Sequence, residues 1–264
     1  MENNKLDEPY LIDELGNQIY GITYSQYSAI YNELISDFGI SQQQIVESAS
    51  FSLAMVIRAA LAYSAAEAYS VGLISDNLPS CVVLAALRHL VNAGTDTSIL
   101  YVKDNNHNFP EISSYLHTLK QMRIKILEIN SINDLPDLGI YLKDAHNVVC
   151  GLSSINKGVT DLEKQIIESL NSIKTPIHCV EAPIGLNVDD GSHETPTLYA
   201  SSTLSLGLPL KGLILGNVYC GRNYICDISF TKKSYEIVNE ELGKIFSSQP
   251  VIRLFSPRPE PEKE

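Results

Sequence analysis

From residue 69 onward the chain alternates between short apolar runs and helical patterns. The apolar runs are "YSVGLIS", "TSILYV", "KILEI", "NVVCGL", "PIHCVEA", "STLSLGL" and "NYICDI". Between several of them lie segments with apolar residues three and four apart: "PSCVVLAALRHLVNAG", "PEISSYLHTLKQM" and "TDLEKQIIESLNSI". Nearly continuous apolar strands alternating with helices predict a mostly parallel sheet covered on both faces, an α/β fold. In such sheets ligands bind beyond the carboxyl ends of the strands, so chemistry is sought there.

Two helices are predicted upstream. In "TYSQYSAIYNELISDFGI" the residues Tyr27, Ile30, Tyr31 and Leu34 share one face, with Ser25 as the expected N-cap and Gly39 as the stop. In the next segment Ser41 and Gln44 form a capping box. Asn77 as N-cap, Pro79 in the first turn and Gly94 at the end delimit the helix through "LAALRHL". Residues 1–22 read as a polar, acidic extension, 23–247 as one domain closed by a helix at "SYEIVNEELGKIF", and 248–264 as a Pro-rich, charged tail.

Composition narrows the function classes. Apolar residues make up 44% of the 264, enough for a packed core. A net charge of −12 and a pI of about 4.9 leave no basic surface for phosphates, which argues against a nucleic-acid partner. No apolar run reaches membrane-spanning length, and the N-terminus lacks the basic and apolar regions of a signal peptide, so a cytoplasmic location and no membrane contact are expected. The five cysteines form no CxxC pair and are expected to be reduced and structural, with no metal site.

The stretch "TPIHCVEAPIGLNVDDG" carries the chemical question. A single carboxylate, Glu181, ends an apolar run and is followed at once by a proline and a glycine. "AIYNEL" with "QQIVESAS", "LAALRHLVNAGTDTSILYV", "HNVVCGLSSINKGV" and "PIHCVEAPIGLNVDDG", in this order, resemble the YjeF N-terminal domain family. So do "STLSLGLPLKGL" and "GRNYICDIS", which extend the likeness to about residue 232. The resemblance implies a Rossmann-like three-layer α/β/α sandwich, frequent homodimers, and NAD(P)H-hydrate epimerase activity in the best-known members. It places Glu181 where those enzymes carry a catalytic aspartate. It also suggests Asn77, Lys157, Gly158 and Gly185 as cofactor-binding positions.

The same comparison exposes departures. The family's glycine-rich phosphate loop is replaced here by "SDNLPSC". Pro79 lacks an N–H, and the β-branched Val82 and Val83 resist the conformations glycine allows. Val149 stands where the resemblance implies an aspartate ligand for potassium, so that site is expected to be lost and no cofactor is expected. Tyr31 replaces an aspartate, Ser50 a glycine, Ile184 a serine and Asn187 an acidic residue. Glutamate for aspartate displaces the carboxylate by more than an ångström, and misplacement on that scale costs on the order of 100-fold in rate.

Three readings follow. The first is a non-catalytic binding, dimerisation or regulatory module, a pseudoenzyme acting through an unidentified protein partner, as in the family's enhancer-of-decapping members. The alternative is an epimerase of altered site, in which Glu181 moves a proton at the hydrated nicotinamide ring. A strand-end pocket filled by Ile184, Leu78 and Tyr31 would exclude catalysis, whereas an open pocket faced by Glu181 would restore it. The third is an enzyme on another small ligand, using Glu181 with His178 or His193; His178 lies three residues before Glu181 on a strand and is expected to point to the other face, which argues against that dyad.

Overall fold

The computed structural model describes residues 8–61, 65–103, 109–155, 157–236 and 240–257. The chain opens with a hairpin, β1 (Tyr10–Ile12) and β2 (Gln18–Tyr20), and two helices, α1 (Tyr24–Ser36) and α2 (Gln42–Ala60). The alternating part follows as β3 (Tyr69–Ile74), α3 (Leu78–Asn92), β4 (Asp96–Val102), α4 (Ile112–Gln121), β5 (Lys125–Ile129), α5 (Leu135–Leu142) and β6 (Asn147–Cys150). It continues with α6 (Asp161–Ser172), β7 (Ile177–Val180), β8 (Ser202–Leu206), α7 (Lys211–Leu215), α8 (Asn217–Cys220) and β9 (Arg222–Cys226). The last elements are α9 (Lys232–Glu236) and β10 (Val251–Leu254). All seven expected apolar runs are strands.

The main sheet has eight strands in the order β10-β9-β8-β7-β6-β3-β4-β5. Every neighbouring pair is parallel except β10 with β9. The chain builds outward from β3 to β5, then returns to the other side of β3 as β6. That reversal makes β3 and β6 the topological switch point, where a crevice opens because the two following connections diverge. Alternate residues of β3 serve opposite cores: Val71 and Leu73 belong to one, Ile74 to the other. Helices α1 to α4 supply one core through Ile30, Leu53, Leu87 and Leu116. Helices α5 and α6 supply the other through Leu138, Ile166 and Ile167. The result is the mostly parallel sheet covered on both faces that the pattern predicts, arranged as the three-layer, Rossmann-like α/β/α sandwich that the resemblance implies. No described helix is long and apolar enough to cross a membrane.

The ends of the chain differ from expectation. Residues 1–7 of the extension and 258–264 of the tail lie outside the described residues. The rest of both is ordered into the domain. Leu11, Ile19 and Ile22 are buried in the core, and Ile12 and Phe255 exchange backbone hydrogen bonds of 2.8 Å in both directions. β10 falls within the expected tail, yet it hydrogen-bonds to β9 along its whole length. Its alternation, with Ile252 and Leu254 buried, is short enough to be masked by the flanking prolines and charges. The expected closing helix at 234–246 is α9 followed by a 3₁₀ turn at Glu240–Lys244, and residues 237–239 lie outside the described residues. The cap of α1 is Thr23 rather than Ser25, because Thr23 and Gln26 satisfy each other's backbone N–H groups as a capping box. The boxes at Ser41–Gln44 and the Asn77 cap of α3 are as expected.

One close approach positions the switch point. A Cβ on Gly151, just past β6, would lie 2.7 Å from Ser80 Cα and 2.9 Å from Ser80 N in the first turn of α3. Both are backbone atoms, so neither yields without moving the helix. Gly151→Ala is expected to destabilise the protein by about 1–3 kcal/mol through this overlap, read as a lowered urea midpoint with an unchanged m-value. An unchanged midpoint would show that α3 is free to shift.

Candidate functional site

The carboxyl ends of β3, β6 and β7 converge with the face of α1 on an open cavity of about 310 Å³. Its lining includes Tyr24, Tyr27 and Tyr31 of α1, Asn77, Leu78 and Pro79 at the start of α3, Ser153 and Ile155 after β6, and Glu181 after β7. Each wall has a local cause. Thr23 caps α1 so that Tyr24, Tyr27 and Tyr31 run down one side of the helix, at positions three and four apart. Their rings stack, with centroids 6.3 Å apart for Tyr24–Tyr27 and 6.0 Å for Tyr27–Tyr31. Asn77 accepts a 2.8 Å hydrogen bond from the backbone N–H of Ser80 and donates one of 2.8 Å to Ser75 Oγ. Its side chain is thus spent on ending β3 and starting α3.

Glu181 is the chemically distinctive residue. β7 ends at Val180, and Glu181 takes a left-handed backbone with φ of +63°. A non-glycine residue in that region is strained and persists only where its surroundings hold it. They do: its N–H donates 2.9 Å to Leu204 O of β8, and Pro183 two residues on cannot continue the ladder. The residue is only 9% exposed, yet its side chain lines the cavity. Burial pushes the carboxyl up to about 7, and a hydrogen bond donated by the Tyr27 hydroxyl at 3.4 Å opposes that rise. Among the described residues lining the cavity there is no cation to hold the carboxylate ionised. A carboxyl that is populated in both forms near neutrality suits proton transfer in either direction.

A second cavity of about 380 Å³ lies beside the first and shares Tyr24 and Ile155 with it. Lys157 and Gly185 line this one, together with Asp189, His193 and Glu194. Lys157 Nζ is 3.0 Å from Glu163 Oε1, and Glu163 also caps α6. Gly158 lines neither cavity; the nearest atom to a Cβ placed there is Glu194 Oε1 at 3.7 Å. Of the residues singled out from the sequence, Glu181 and Asn77 therefore meet in one cavity and Lys157 and Gly185 in its neighbour.

Ile184 is fully buried in the core on the α5–α6 face of the sheet, and Leu78 and Tyr31 flank the first cavity rather than fill it. Val149 is fully buried in β6. His178 is buried with Nδ1 2.7 Å from Ser202 Oγ, and burial lowers it to about 4, so it forms no dyad with Glu181. All five cysteines are buried free thiols, and desolvation pushes Cys81 and Cys220 up to about 12, as inert structural thiols require. Tyr24, Tyr27, Ser153 and Ile155 did not stand out in the sequence as site residues. The only signal was the tyrosine spacing, which reads equally as core packing.

A doubly wound, mostly parallel sheet covered by helices on both faces, with a strained acid at its switch point, defines an α/β domain of the Rossmann-like kind. Residues 42–212 match the family described as YjeF-related protein N-terminus, and the chain belongs to that family. It is 24% identical to the NAD(P)H-hydrate epimerase of Elusimicrobium minutum, over 80% of this chain and 96% of that protein. It is 23% identical to the enzyme of the same name from Plasmodium vivax, over 81% and 68% of the two chains, and 27% identical to that of Dictyostelium discoideum, over 65% and 69%. A crystal structure of a yeast protein superposes with a TM-score of 0.72 at 18% identity, covering 84% of this chain and 94% of the other, which shows the shared fold.

The raised acidity constant makes a stability prediction. The folded value of about 7 lies above the ordinary 4.5, so the folded state keeps this proton longer than the unfolded chain does. Stability is then undiminished below about pH 4.5 and falls as pH rises to about 7. Glu181→Gln removes that loss. Its stability gain over the unsubstituted protein is expected to be small near pH 4.5 and to grow to as much as about 3 kcal/mol at pH 8. Urea denaturation at the two pH values checks it. A gain independent of pH would mean that the carboxyl is not desolvated.

Proposed function

We propose that the chain is an isomerase of the NAD(P)H-hydrate epimerase kind, with Glu181 as its acid–base residue. The observation that carries this reading is an open cavity at the switch point faced by a buried carboxyl balanced near neutrality. The names of the relatives supply the substrate class. In a hydrated dihydronicotinamide the hydroxyl-bearing carbon is bonded to the ring nitrogen. The protonated carboxyl gives its proton to the hydroxyl as the C–O bond breaks, and the nitrogen lone pair supplies the electrons. The carboxylate then takes a proton from a water that adds to the opposite face, which returns the acid and inverts the carbon. A group with an acidity constant near the working pH serves both halves.

The tyrosine side of the cavity suits a flat ring, because aromatic faces attract planar partners in stacked or tilted contact. The neighbouring cavity sharing Tyr24 and Ile155 provides room for the remainder of a dinucleotide. Among the described residues, the positions that the resemblance assigns to the family cation do not fit it. Val149 offers no side-chain oxygen, and the Asn77 side chain is occupied by Ser75 and Ser80, so no step is assigned to a cation.

A second reading, a binding or dimerisation module without catalysis, is favoured by the start of α3. There an Asn cap and Pro79 stand where a glycine-rich turn would present backbone N–H groups to phosphates. The two readings part in one assay. The R-form of hydrated NADH is supplied with an S-specific dehydratase, and its consumption is compared with the spontaneous rate and with Glu181→Gln. A rate well above background that falls by about 100-fold or more in Glu181→Gln is expected for the isomerase, in keeping with the loss of one acid–base group. No rate above background at micromolar protein would overturn it in favour of the binding module.

A further inference from the structure

Tyr27 is the one side chain with a hydrogen bond to Glu181 among the described residues, a contact between positions 154 apart in the chain. Its ring is 6% exposed and is locked on three sides: by Tyr24 and Tyr31 along α1, and by Phe230 after β9, with centroids 6.0 Å apart. Its backbone N–H donates to Thr23 O at 2.9 Å within the first turn of the helix. The hydroxyl therefore has little freedom to turn away. At 3.4 Å its bond to Glu181 Oε1 is long, as acid–base contacts commonly are before a substrate is bound. Glu181, by contrast, sits on a strained backbone and carries one more rotatable bond than an aspartate at the same place would. A flexible acid on an unusual backbone needs a partner to hold it in one orientation.

We propose that Tyr27 is the positioning residue of this site: its fixed hydroxyl holds Oε1 of Glu181 and turns the other oxygen toward the ring bound in the cavity. The Tyr27 ring lines the cavity, but its hydroxyl acts on the reaction through Glu181 and not on the reacting atoms. The proposal rests on the isomerase reading for its functional meaning, but the hydrogen bond itself is testable without turnover. The titratable groups around the pair are few. Tyr31 faces it from the same helix, Cys226 from β9 lies near Tyr27, and Cys81 of α3 and the carboxylate of Glu111, just before α4, act on Tyr31. Tyr24 stands at the rim. Burial raises the acidity constants of Tyr31 and Cys226, so both stay uncharged near pH 7, and the Tyr27 hydroxyl is the polar group acting directly on the carboxylate. Desolvation raises the acidity constant of Tyr27 itself well above its usual value, so it remains a donor throughout the working range.

The test is the titration of Glu181 in the substrate-free protein, followed by carbon-detected NMR with glutamate labelled at Cδ. The signal is assigned by its absence in Glu181→Gln. In Tyr27→Phe the ring stack remains and only the donor is lost. The Glu181 midpoint is expected to rise by about one pH unit, because a donor favours the ionised form. Tyr31→Phe should move it by less. 3-Fluorotyrosine at position 27, a more acidic donor, should move the midpoint the opposite way, and it decides the matter if Tyr27→Phe does not fold. An unmoved midpoint in Tyr27→Phe, or in the fluorinated protein, overturns the proposal whether or not the protein is active. With turnover, Tyr27→Phe is expected to lower kcat about tenfold with little change in KM, and to shift the pH profile with the Glu181 midpoint. Absence of turnover in the unsubstituted protein would sink the isomerase reading and leave the titration to judge Tyr27 alone.

Discussion

The buried hydroxyl of Ser80 ties together the three segments on which the site is built. It accepts a 2.9 Å hydrogen bond from the backbone N–H of Ser75, at the end of β3, and donates 3.1 Å to the carbonyl of Gly151, just past β6. The N–H of the same serine is capped by Asn77. Ser80 is wholly buried, where a polar group left unpaired costs about 1–3 kcal/mol. Its bonds therefore fix how far apart the ends of β3 and β6 lie. That distance decides whether a cavity exists at the switch point. The lack of a side chain on Gly151 is part of the same constraint, because it lets α3 begin directly against the following loop.

With that frame set, the chemistry of Glu181 follows from burial rather than from a charged neighbour. The cavity that the carboxyl lines is walled by hydroxyls, amides and aliphatic groups, and desolvation outweighs the single hydrogen bond from Tyr27. The extra methylene of glutamate reads on paper as a misplaced aspartate. In the fold it is accompanied by a left-handed backbone at the same residue and by a tyrosine from α1 that meets the displaced carboxyl. Under the proposed isomerase reading, the departures at the start of α3 and at Val149 would concern a different part of the ligand, its phosphates and their cation. That reading is compatible with an altered start of α3, because the carboxyl and the α3 turn belong to different elements of the site.

Much of the architecture was legible because burial on both faces of a parallel sheet forces near-continuous apolar runs, and those runs mark strands with little ambiguity. The helix starts at Ser41 and Asn77 were legible because caps are local chemistry between residues three apart. What escaped notice was short or conditional. The three-residue strands of the opening hairpin and the four-residue β10 carry too few alternations to outweigh polar surroundings. The 3₁₀ turn at Glu240–Lys244, within the expected closing helix, has no comparable local signal.

From order and composition alone the chain determined its α/β class, most of its strands and the position of one carboxylate at a strand end, since these rest on local periodicity and residue type. It did not determine whether that carboxylate faces a cavity or a filled core. Ile184, expected near the ligand, lies on the opposite face of the sheet, while Tyr27, which looked like packing, meets Glu181. Both outcomes depend on which way a side chain leaves a turn with left-handed backbone and on how a distant helix docks there. Neither quantity is encoded in the spacing of neighbours, so only the tertiary structure decided it.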